Sequence, residues 1–210
     1  MTSKKRVVLI TGAESGIGKS TSKIFLDNGY KVICTYLKNN NNKNTKDIEY
    51  HRIDITKNKD WENLALYIKK KFKKIDVLVN SAGVRLSGNL ETTSMSDWSY
   101  HLNNNVTGTF LACKYILPFL KKAKNSSIIN VASINSIRGA KNMLAYATSK
   151  SAIISFTASL ALDLTKNKIR VNAVAPGAIE TPMLASFKKD LSLKEYQKRM
   201  RENPVSYTHL

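Results

Sequence analysis

The sequence is short of cysteine, proline and glycine. Cys34 and Cys113 are its only 2 cysteines in 210 residues, and they lie in no metal-binding or redox spacing. This excludes a disulfide framework, a zinc site and a thioredoxin-like centre, and it fits a reducing compartment. The 4 prolines and 9 glycines form no linker that would divide the chain. At this length we expect a single domain over residues 1–204.

Long apolar runs are also missing. The stretch Val7–Ile10 follows basic residues but ends at Thr11, which makes it too short for a signal peptide. No run reaches the roughly 20 residues that a membrane-spanning helix needs. We therefore expect a soluble, cytoplasmic protein without a membrane partner.

Acidic residues are few. The chain has 34 Lys and Arg against 15 Asp and Glu, a formal net charge of +19. The lysine groups Lys69–Lys74 and Lys121–Lys124 fall at the ends of segments with helical periodicity, where solvated helix faces account for them. A nucleic-acid-binding protein is a competing interpretation, but the sequence lacks the interleaved basic and aromatic residues that it predicts. We expect no nucleic-acid partner and no metal.

Short apolar segments rich in Val and Ile alternate with longer segments of helical periodicity. This alternation predicts parallel strands joined by right-handed helical crossovers. The predicted fold is α/β, a doubly wound parallel sheet (Rossmann fold) with helices on both faces and with its last strand missing. The predicted strands are Val7–Ile10, Lys31–Thr35, Ile48–Ile53, Ile75–Asn80, Ser127–Ala132 and Ile169–Ala175. The predicted helices are Ile17–Asn28, Asp60–Phe72, Ser96–Leu120, Leu144–Thr165 and Leu191–Arg201, and Asn39–Asn44 is a predicted loop.

A glycine-rich turn follows the first predicted strand. Gly12, Gly16 and Gly18 lie between this strand and a helix, within one βαβ unit. The first permits a tight turn, the second lets backbone N–H groups approach a pyrophosphate, and the third lets helix and strand pack closely. The turn therefore predicts a dinucleotide site that also includes Ser15 and Ile17. A turn that binds no nucleotide is the alternative.

A tyrosine, a lysine and a serine form a candidate catalytic group. Tyr146 and Lys150 are four residues apart in a predicted helix, so their side chains lie on one face. A tyrosine titrates near ~10 in water, and a neighbouring ammonium favours its phenolate. Ser133 ends a predicted strand, at the sheet edge where open α/β proteins bind ligands. Taken alone, the Tyr and Lys pair also fits a surface position without function.

These motifs, in this order, resemble the short-chain dehydrogenase/reductase family. The glycines have its spacing Gly-x-x-x-Gly-x-Gly, and Tyr-x-x-x-Lys follows the serine as in the family. Asn130–Ser133 departs from the family's Asn-x-Ser-Ser at Ala132, and Asn80–Gly83 departs from Asn-Asn-Ala-Gly at Ser81. The run Val171–Gly177 looks most like bacterial 3-oxoacyl-[acyl-carrier-protein] reductases. Because such runs build the scaffold, the substrate stays open.

The resemblance implies four catalytic residues. Tyr146 would transfer the proton and Ser133 would polarise the substrate oxygen. Lys150 would lower the pKa of the tyrosine and hold the nicotinamide ribose, and Asn105 would order a relay water. The residues implied to contact the cofactor are Gly12, Ser15, Gly16, Ile17, Gly18, Tyr36, Lys38, Asp54, Asn80, Ala82, Gly83, Tyr146, Lys150, Pro176, Gly177, Ile179 and Thr181.

The implied cofactor is a nicotinamide dinucleotide, and we expect NADP(H) rather than NAD(H). A dehydrogenase that prefers NAD usually has a carboxylate at the end of its second strand, bonded to the ribose 2′-hydroxyl. Here that position is Tyr36, and Lys38 two residues later could attract a 2′-phosphate. Ser15, which stands where many NADP-dependent members have a basic residue, points the other way.

The predicted function is hydride transfer between nicotinamide and a carbonyl or secondary alcohol, with 3-oxoacyl thioesters as candidate substrates. A non-catalytic nucleotide-binding sensor and an inactive truncated fragment are the alternatives. The fragment is considered because the family continues into a further strand, whereas residues 205–210 look unlike the family and are expected to be a non-native tail. The resemblance also implies a homodimer or homotetramer paired through the helices Ser96–Leu120 and Leu144–Thr165.

Overall fold

The computed structural model describes residues 5–38 and 43–188. Its strands are β1 Val7–Thr11, β2 Lys31–Tyr36, β3 Ile48–Arg52, β4 Val77–Asn80, β5 Ser127–Val131 and β6 Arg170–Val174. Its helices are α1 Gly16–Asp27, α2 Asn58–Lys71, α3 Met95–His101, α4 Gly108–Leu120, α5 Leu144–Asp163 and α6 Pro182–Lys188. All the strands are parallel and form one sheet in the order β3-β2-β1-β4-β5-β6. The predicted doubly wound α/β fold is confirmed.

The central strands are mostly apolar because helices cover both faces of the sheet. Strand β1 is buried throughout and pairs with β2 on one side and β4 on the other. On one face Leu9 belongs to a core with Trp61 of α2 and Ile116 of α4. On the other face Ile10 belongs to a core against which Phe25 of α1 packs. Each such side chain contributes about 1.5–3 kcal/mol by its burial, so the glycine turn after β1 is held on a rigid scaffold.

The long predicted helix Ser96–Leu120 is not a single α-helix. A π-helical segment, Leu102–Thr107, separates α3 from α4. At its end the Gly108 N–H donates to the Asn103 carbonyl, five residues earlier. Apolar periodicity cannot reveal one extra residue in one turn, because the spacing on either side is unchanged. Such π-helical turns occur frequently at functional sites, and this one contains Asn105.

The other predicted bounds agree with the structure to within two residues. The predicted helix Leu191–Arg201, most of the loop Asn39–Asn44 and the expected tail at 205–210 lie outside the described residues. The single domain over residues 1–204 therefore stays a prediction. Among the described helices, none is long and apolar enough to cross a membrane.

Candidate active site

A cavity of about 1040 Å³ opens at the carboxyl ends of the strands. This is the sheet edge at which open α/β folds bind their ligands. Its walls are the turns after β1, β2, β4, β5 and β6, together with the beginning of α5. The predicted site residues that line it are Gly12, Ser15, Gly16, Ile17, Gly18, Tyr36, Lys38, Ala82, Gly83, Ser133, Tyr146, Lys150, Pro176, Gly177, Ile179 and Thr181.

The glycine-rich turn has no room for side chains at two of its positions. Gly12 has a φ of +64°, and a Cβ there would lie 2.7 Å from the Ala82 Cα. A Cβ on Gly18 would lie 2.3 Å from the Gly12 carbonyl oxygen. The Ser15 side chain does not cap α1, so no side-chain oxygen there occupies the N–H groups of its first turn. A helix start of this kind favours a phosphate by its positive potential and its open donors.

Thr11 joins the glycine turn to the end of β4. Its Oγ1 accepts hydrogen bonds from the backbone N–H groups of Ser81 and Ala82, each at 3.1 Å. The side chain is buried, so water does not compete for these bonds. Sequence reasoning did not select Thr11. The sequence feature that could have identified Thr11 is a hydroxyl group at the last residue of an otherwise apolar strand.

Tyr146 and Ser133 both line the cavity wall, and the Ser133 hydroxyl is near enough to the Tyr146 phenol to affect its pKa. Burial raises the pKa of Tyr146, while the Ser133 hydroxyl and the positive charge of Arg85 lower it by less. The Ser133 Oγ also accepts from the Asn135 N–H at 3.2 Å, which fixes it at the start of a 3-10 turn. A protonated phenol and a hydroxyl are therefore held ready for one substrate oxygen.

Lys150 is buried on the same face of α5 as Tyr146. Its Nζ donates to the Val131 carbonyl at 2.7 Å. Burial lowers the pKa of Lys150 to about 8. The effects on the pKa of Tyr146 in the structure come from burial, Ser133 and Arg85. The expectation that Lys150 lowers this pKa stays a prediction.

Asn105 lies buried in the π-helical segment. Its Oδ1 accepts from the Val84 N–H at 2.8 Å, and its Nδ2 donates to the Val84 carbonyl at 3.0 Å and to the Ser149 Oγ at 2.8 Å. A Cβ on Gly83 would lie 3.0 Å from the Asn105 Oδ1 and 3.3 Å from the Lys150 Nζ. The glycine thus lets the asparagine and the lysine approach the same loop.

Two residues expected to contact the cofactor do not line the cavity. The Asp54 Oδ1 accepts from the N–H and the hydroxyl of Thr56, at 2.9 and 2.7 Å, and so forms a local turn. The buried Asn80 Nδ2 donates to the Asn130 Oδ1 at 2.8 Å, between β4 and β5. Both side chains form bonds within the scaffold, and neither is part of the cavity wall.

The segment after β6 closes over the glycine turn. The Pro176 carbonyl accepts from the Ile134 N–H at 2.9 Å, which ties this segment to the turn that contains Ser133. A Cβ on Gly16 would lie 3.1 Å from the Thr181 Cγ2. Residues from opposite ends of the described chain therefore meet across one cavity.

Sequence reasoning missed three residues that shape the catalytic end. Arg85 lines the cavity near Tyr146. His101 is buried, and its Nε2 accepts from the Leu86 N–H at 2.9 Å. The Ser149 hydroxyl donates to the Tyr146 carbonyl at 2.7 Å. The sequence signal for His101 and Ser149 was weak, because a polar residue within a helix does not reveal its partner. Arg85 lies in a loop, where no periodicity points to a neighbour.

Among the described residues, no group of His, Cys, Asp and Glu could hold a metal ion. The cavity instead offers a phosphate-accepting helix start, a Tyr–Ser pair and a buried lysine. These features define a dinucleotide-binding site with a proton-transfer group beside it.

Comparisons with known proteins agree with this geometry. The family model described as short chain dehydrogenase matches residues 6–192. The chain is 37% identical over 186 residues to the 3-oxoacyl-[acyl-carrier-protein] reductase FabG of Thermotoga maritima, covering 85% of this chain and 76% of that protein. It is 36% identical over 183 residues to dehydrogenase/reductase SDR family member 6 of Aquarana catesbeiana, covering 85% and 73%.

Solved structures of dehydrogenases and related proteins are also similar to this chain in fold and sequence. Ligand-free aldohexose dehydrogenase of Thermoplasma acidophilum superposes with a TM-score of 0.84 at 32% identity, covering 95% of this chain and 78% of that one. ElxO with NADP bound superposes with a TM-score of 0.81 at 31% identity, covering 93% and 83%.

The chain belongs to the short-chain dehydrogenase family. It is an oxidoreductase of the class that interconverts alcohols and carbonyl compounds with a nicotinamide cofactor. The residues present fit such a cofactor, because the glycines of the turn line the cavity without side chains and the first turn of α1 has no side-chain cap. The cofactor, when bound, supplies or accepts the hydride.

Proposed function

We propose that this chain transfers a hydride between NADP(H) and a carbonyl or secondary alcohol while Tyr146 exchanges the proton on the substrate oxygen. The observation that carries the proposal is that the Tyr146 phenol and the Ser133 hydroxyl lie together in the cavity wall. In reduction, the carbonyl carbon gains the hydride and its oxygen gains the phenolic proton. In oxidation, the alcohol carbon loses the hydride to the cofactor, and the hydroxyl oxygen loses its proton to the Tyr146 oxygen.

Each of the other residues has a separate task. Ser133 donates a hydrogen bond to the substrate oxygen, where negative charge develops. Lys150 holds the nicotinamide ribose, and its pKa of about 8 lets it exchange a proton near neutral pH. Asn105 orders a water between the loop at Val84 and Lys150. Gly12, Gly16 and the first turn of α1 hold the pyrophosphate.

Loss of the Tyr146 hydroxyl tests the chemistry. We expect Tyr146→Phe to lower kcat for ketone reduction by about 100- to 10,000-fold, because general acid catalysis is removed. Cofactor binding, followed by the fluorescence of NADPH, should stay within about threefold. The matched control is Tyr115→Phe on α4, whose hydroxyl bonds the Asn58 Oδ1 at 3.2 Å away from the cavity. Undiminished turnover in Tyr146→Phe contradicts the proposal, and cofactor binding without turnover in the wild type favours the sensor.

A preference for NADP(H) is supported by the end of β2. Tyr36 and Lys38 line the cavity there. Among its described lining residues, the one carboxylate is that of Glu14, in the glycine turn. A phosphate on the ribose therefore meets an ammonium rather than a carboxylate.

Reversal of the charge at Lys38 tests this preference. We expect Lys38→Glu to lower the ratio of kcat/KM for NADPH to that for NADH by about 10-fold or more, since a charge-assisted bond is replaced by repulsion. Lys23→Glu, an exposed position on α1 outside the cavity, is the control. An unchanged ratio in Lys38→Glu would show that the 2′-phosphate is held elsewhere.

Substrate, location and assembly rest on similarity. The relationship to 3-oxoacyl reductases supports a 3-oxo compound, such as a 3-oxoacyl thioester, as substrate. The buried free thiols of Cys34 and Cys113 support a reducing cytoplasm. A homodimer or homotetramer formed through α4 and α5 follows from the family.

A further inference from the structure

The catalytic end of the cavity is cationic. Arg85, Arg138 and Lys141 line it together with Tyr146. In the described lining, the one carboxylate belongs to Glu14, in the glycine turn after β1. A wall with positive side chains near the reacting oxygen favours a negatively charged substrate.

Arg85 is on a loop that is fixed at several points. Next to it, the Val84 N–H and carbonyl are both bonded to the Asn105 side chain, at 2.8 and 3.0 Å. On its other side, the Leu86 N–H donates to the His101 Nε2 at 2.9 Å. The guanidinium is therefore attached to a preorganised backbone, which lowers the entropy cost of holding a ligand.

One contact and one electrostatic effect place Arg85 near the reacting group. Its Nε donates to the Met143 Sδ at 3.4 Å, and Met143 lies three residues before Tyr146. Its positive charge lowers the pKa of the Tyr146 phenol. A guanidinium presents five N–H donors in a planar fork that matches a carboxylate. A guanidinium in this part of the cavity is suited to an anionic group near the substrate carbonyl.

We infer that the substrate is a short oxo acid whose free carboxylate is bound by Arg85 while its carbonyl oxygen lies at Tyr146 and Ser133. Arg138 and Lys141 are exposed at the rim and steer the anion inward. The inference rests on the proposed function and narrows it. The inferred substrate keeps the 3-oxo group of a 3-oxoacyl thioester but has a free carboxylate in place of the thioester.

Three probes that share the same 3-oxo group test the inference. Acetoacetate carries the carboxylate, whereas ethyl acetoacetate and S-acetoacetyl-N-acetylcysteamine are neutral, and all are reduced at the same 3-oxo position. With the full chain and NADPH or NADH, we expect kcat/KM for acetoacetate to exceed that for either neutral probe by about 10- to 100-fold, as for a hydrogen bond to a charged group. Pyruvate and its ethyl ester extend the comparison to 2-oxo acids.

Variants of Arg85 locate the effect. We expect Arg85→Gln to lower kcat/KM for the preferred oxo acid by about 10- to 100-fold more than that for its neutral ester, since both substrates share the effect of Arg85 on Tyr146 and only the acid loses the charge-assisted bond. Arg85→Lys, which keeps the charge without the fork, should recover part of the loss. Arg170→Gln, an exposed arginine in β6, is the matched control. Melting temperatures close to that of the wild type show that the variants fold.

The remaining outcomes separate the two proposals. If neutral probes are reduced as well as the acids, or if Arg85→Gln lowers both equally, the carboxylate inference is overturned and the proposed function stands. If the thioester probe is reduced and neither oxo acid is, the carboxylate inference is also overturned and the proposed function stands. If no probe of either kind is reduced with either cofactor, both fail.

Discussion

Lys150 shows how a site residue departs from its solution chemistry. An ammonium that is enclosed beside a strand carbonyl is less stable than one in water, so burial lowers the pKa of Lys150 from 10.5 to about 8. The folded chain thus loses this proton at lower pH than the unfolded chain. Between pH 8 and 10.5 the unfolded chain binds more protons, and the free energy of unfolding rises with pH on account of this group.

This rise of the free energy of unfolding with pH can be tested with a lysine variant. We expect the stability of Lys150→Met relative to the wild type to fall by about 2 kcal/mol between pH 8 and pH 10, because only the wild type gains stability from deprotonating the lysine. Urea unfolding at several pH values measures the difference, and the buried thiols and phenols cancel in it. Lys69→Met, at an exposed position of α2, should show no such trend. A flat difference for Lys150→Met would mean that the lysine is not desolvated.

At the residue scale, sequence reasoning identified the groups but not their partners. Tyr146, Ser133 and Lys150 were found because their spacing is local or tied to a strand end. The influence of Arg85 on Tyr146 joins residues 61 positions apart, through a loop whose course depends on Asn105 and His101. No local pattern records such a contact, so the pKa of the tyrosine could not be assigned from the sequence.

At the scale of elements, the π-helical segment determines which of three adjacent asparagines enters the core. Asn105 is buried and bonded to the loop at Val84, Asn104 donates to the Tyr100 carbonyl at 2.8 Å, and Asn103 is exposed. Helical periodicity placed a helix here correctly but could not separate neighbouring residues in one turn. The resemblance selected Asn105, and the structure places that residue against the loop.

Replacing these asparagines separates their contributions. We expect Asn105→Ala to lower the free energy of unfolding by about 1–3 kcal/mol, since it leaves the backbone groups of Val84 without partners. Asn103→Ala should change it by less than about 0.5 kcal/mol, as at an ordinary surface position. Denaturant unfolding measures both. Equal effects at the two positions would show that the π-helical register differs in solution.

At the scale of the whole molecule, the fold was the most predictable feature. Buried parallel strands must be apolar on both faces, so β1, β4 and β5 were recognisable as short Val- and Ile-rich runs. The distribution of charge was less predictable. The chain's +19 includes a basic group at the opposite end of the sheet, where Arg6, Lys74 and Arg170 surround the buried Asp76. These residues are distant in sequence, and only the parallel topology brings them together.

The central claim is that the cavity transfers a hydride to a carbonyl carbon while Tyr146 protonates the oxygen. The most direct measurement uses a nicotinamide cofactor deuterated at both C4 positions, with mass spectrometry of the alcohol product. The account predicts one deuterium per product molecule with the wild type and with Tyr115→Phe, and product formation reduced by at least about 100-fold with Tyr146→Phe. Product without deuterium, or undiminished labelled product from Tyr146→Phe, would contradict it.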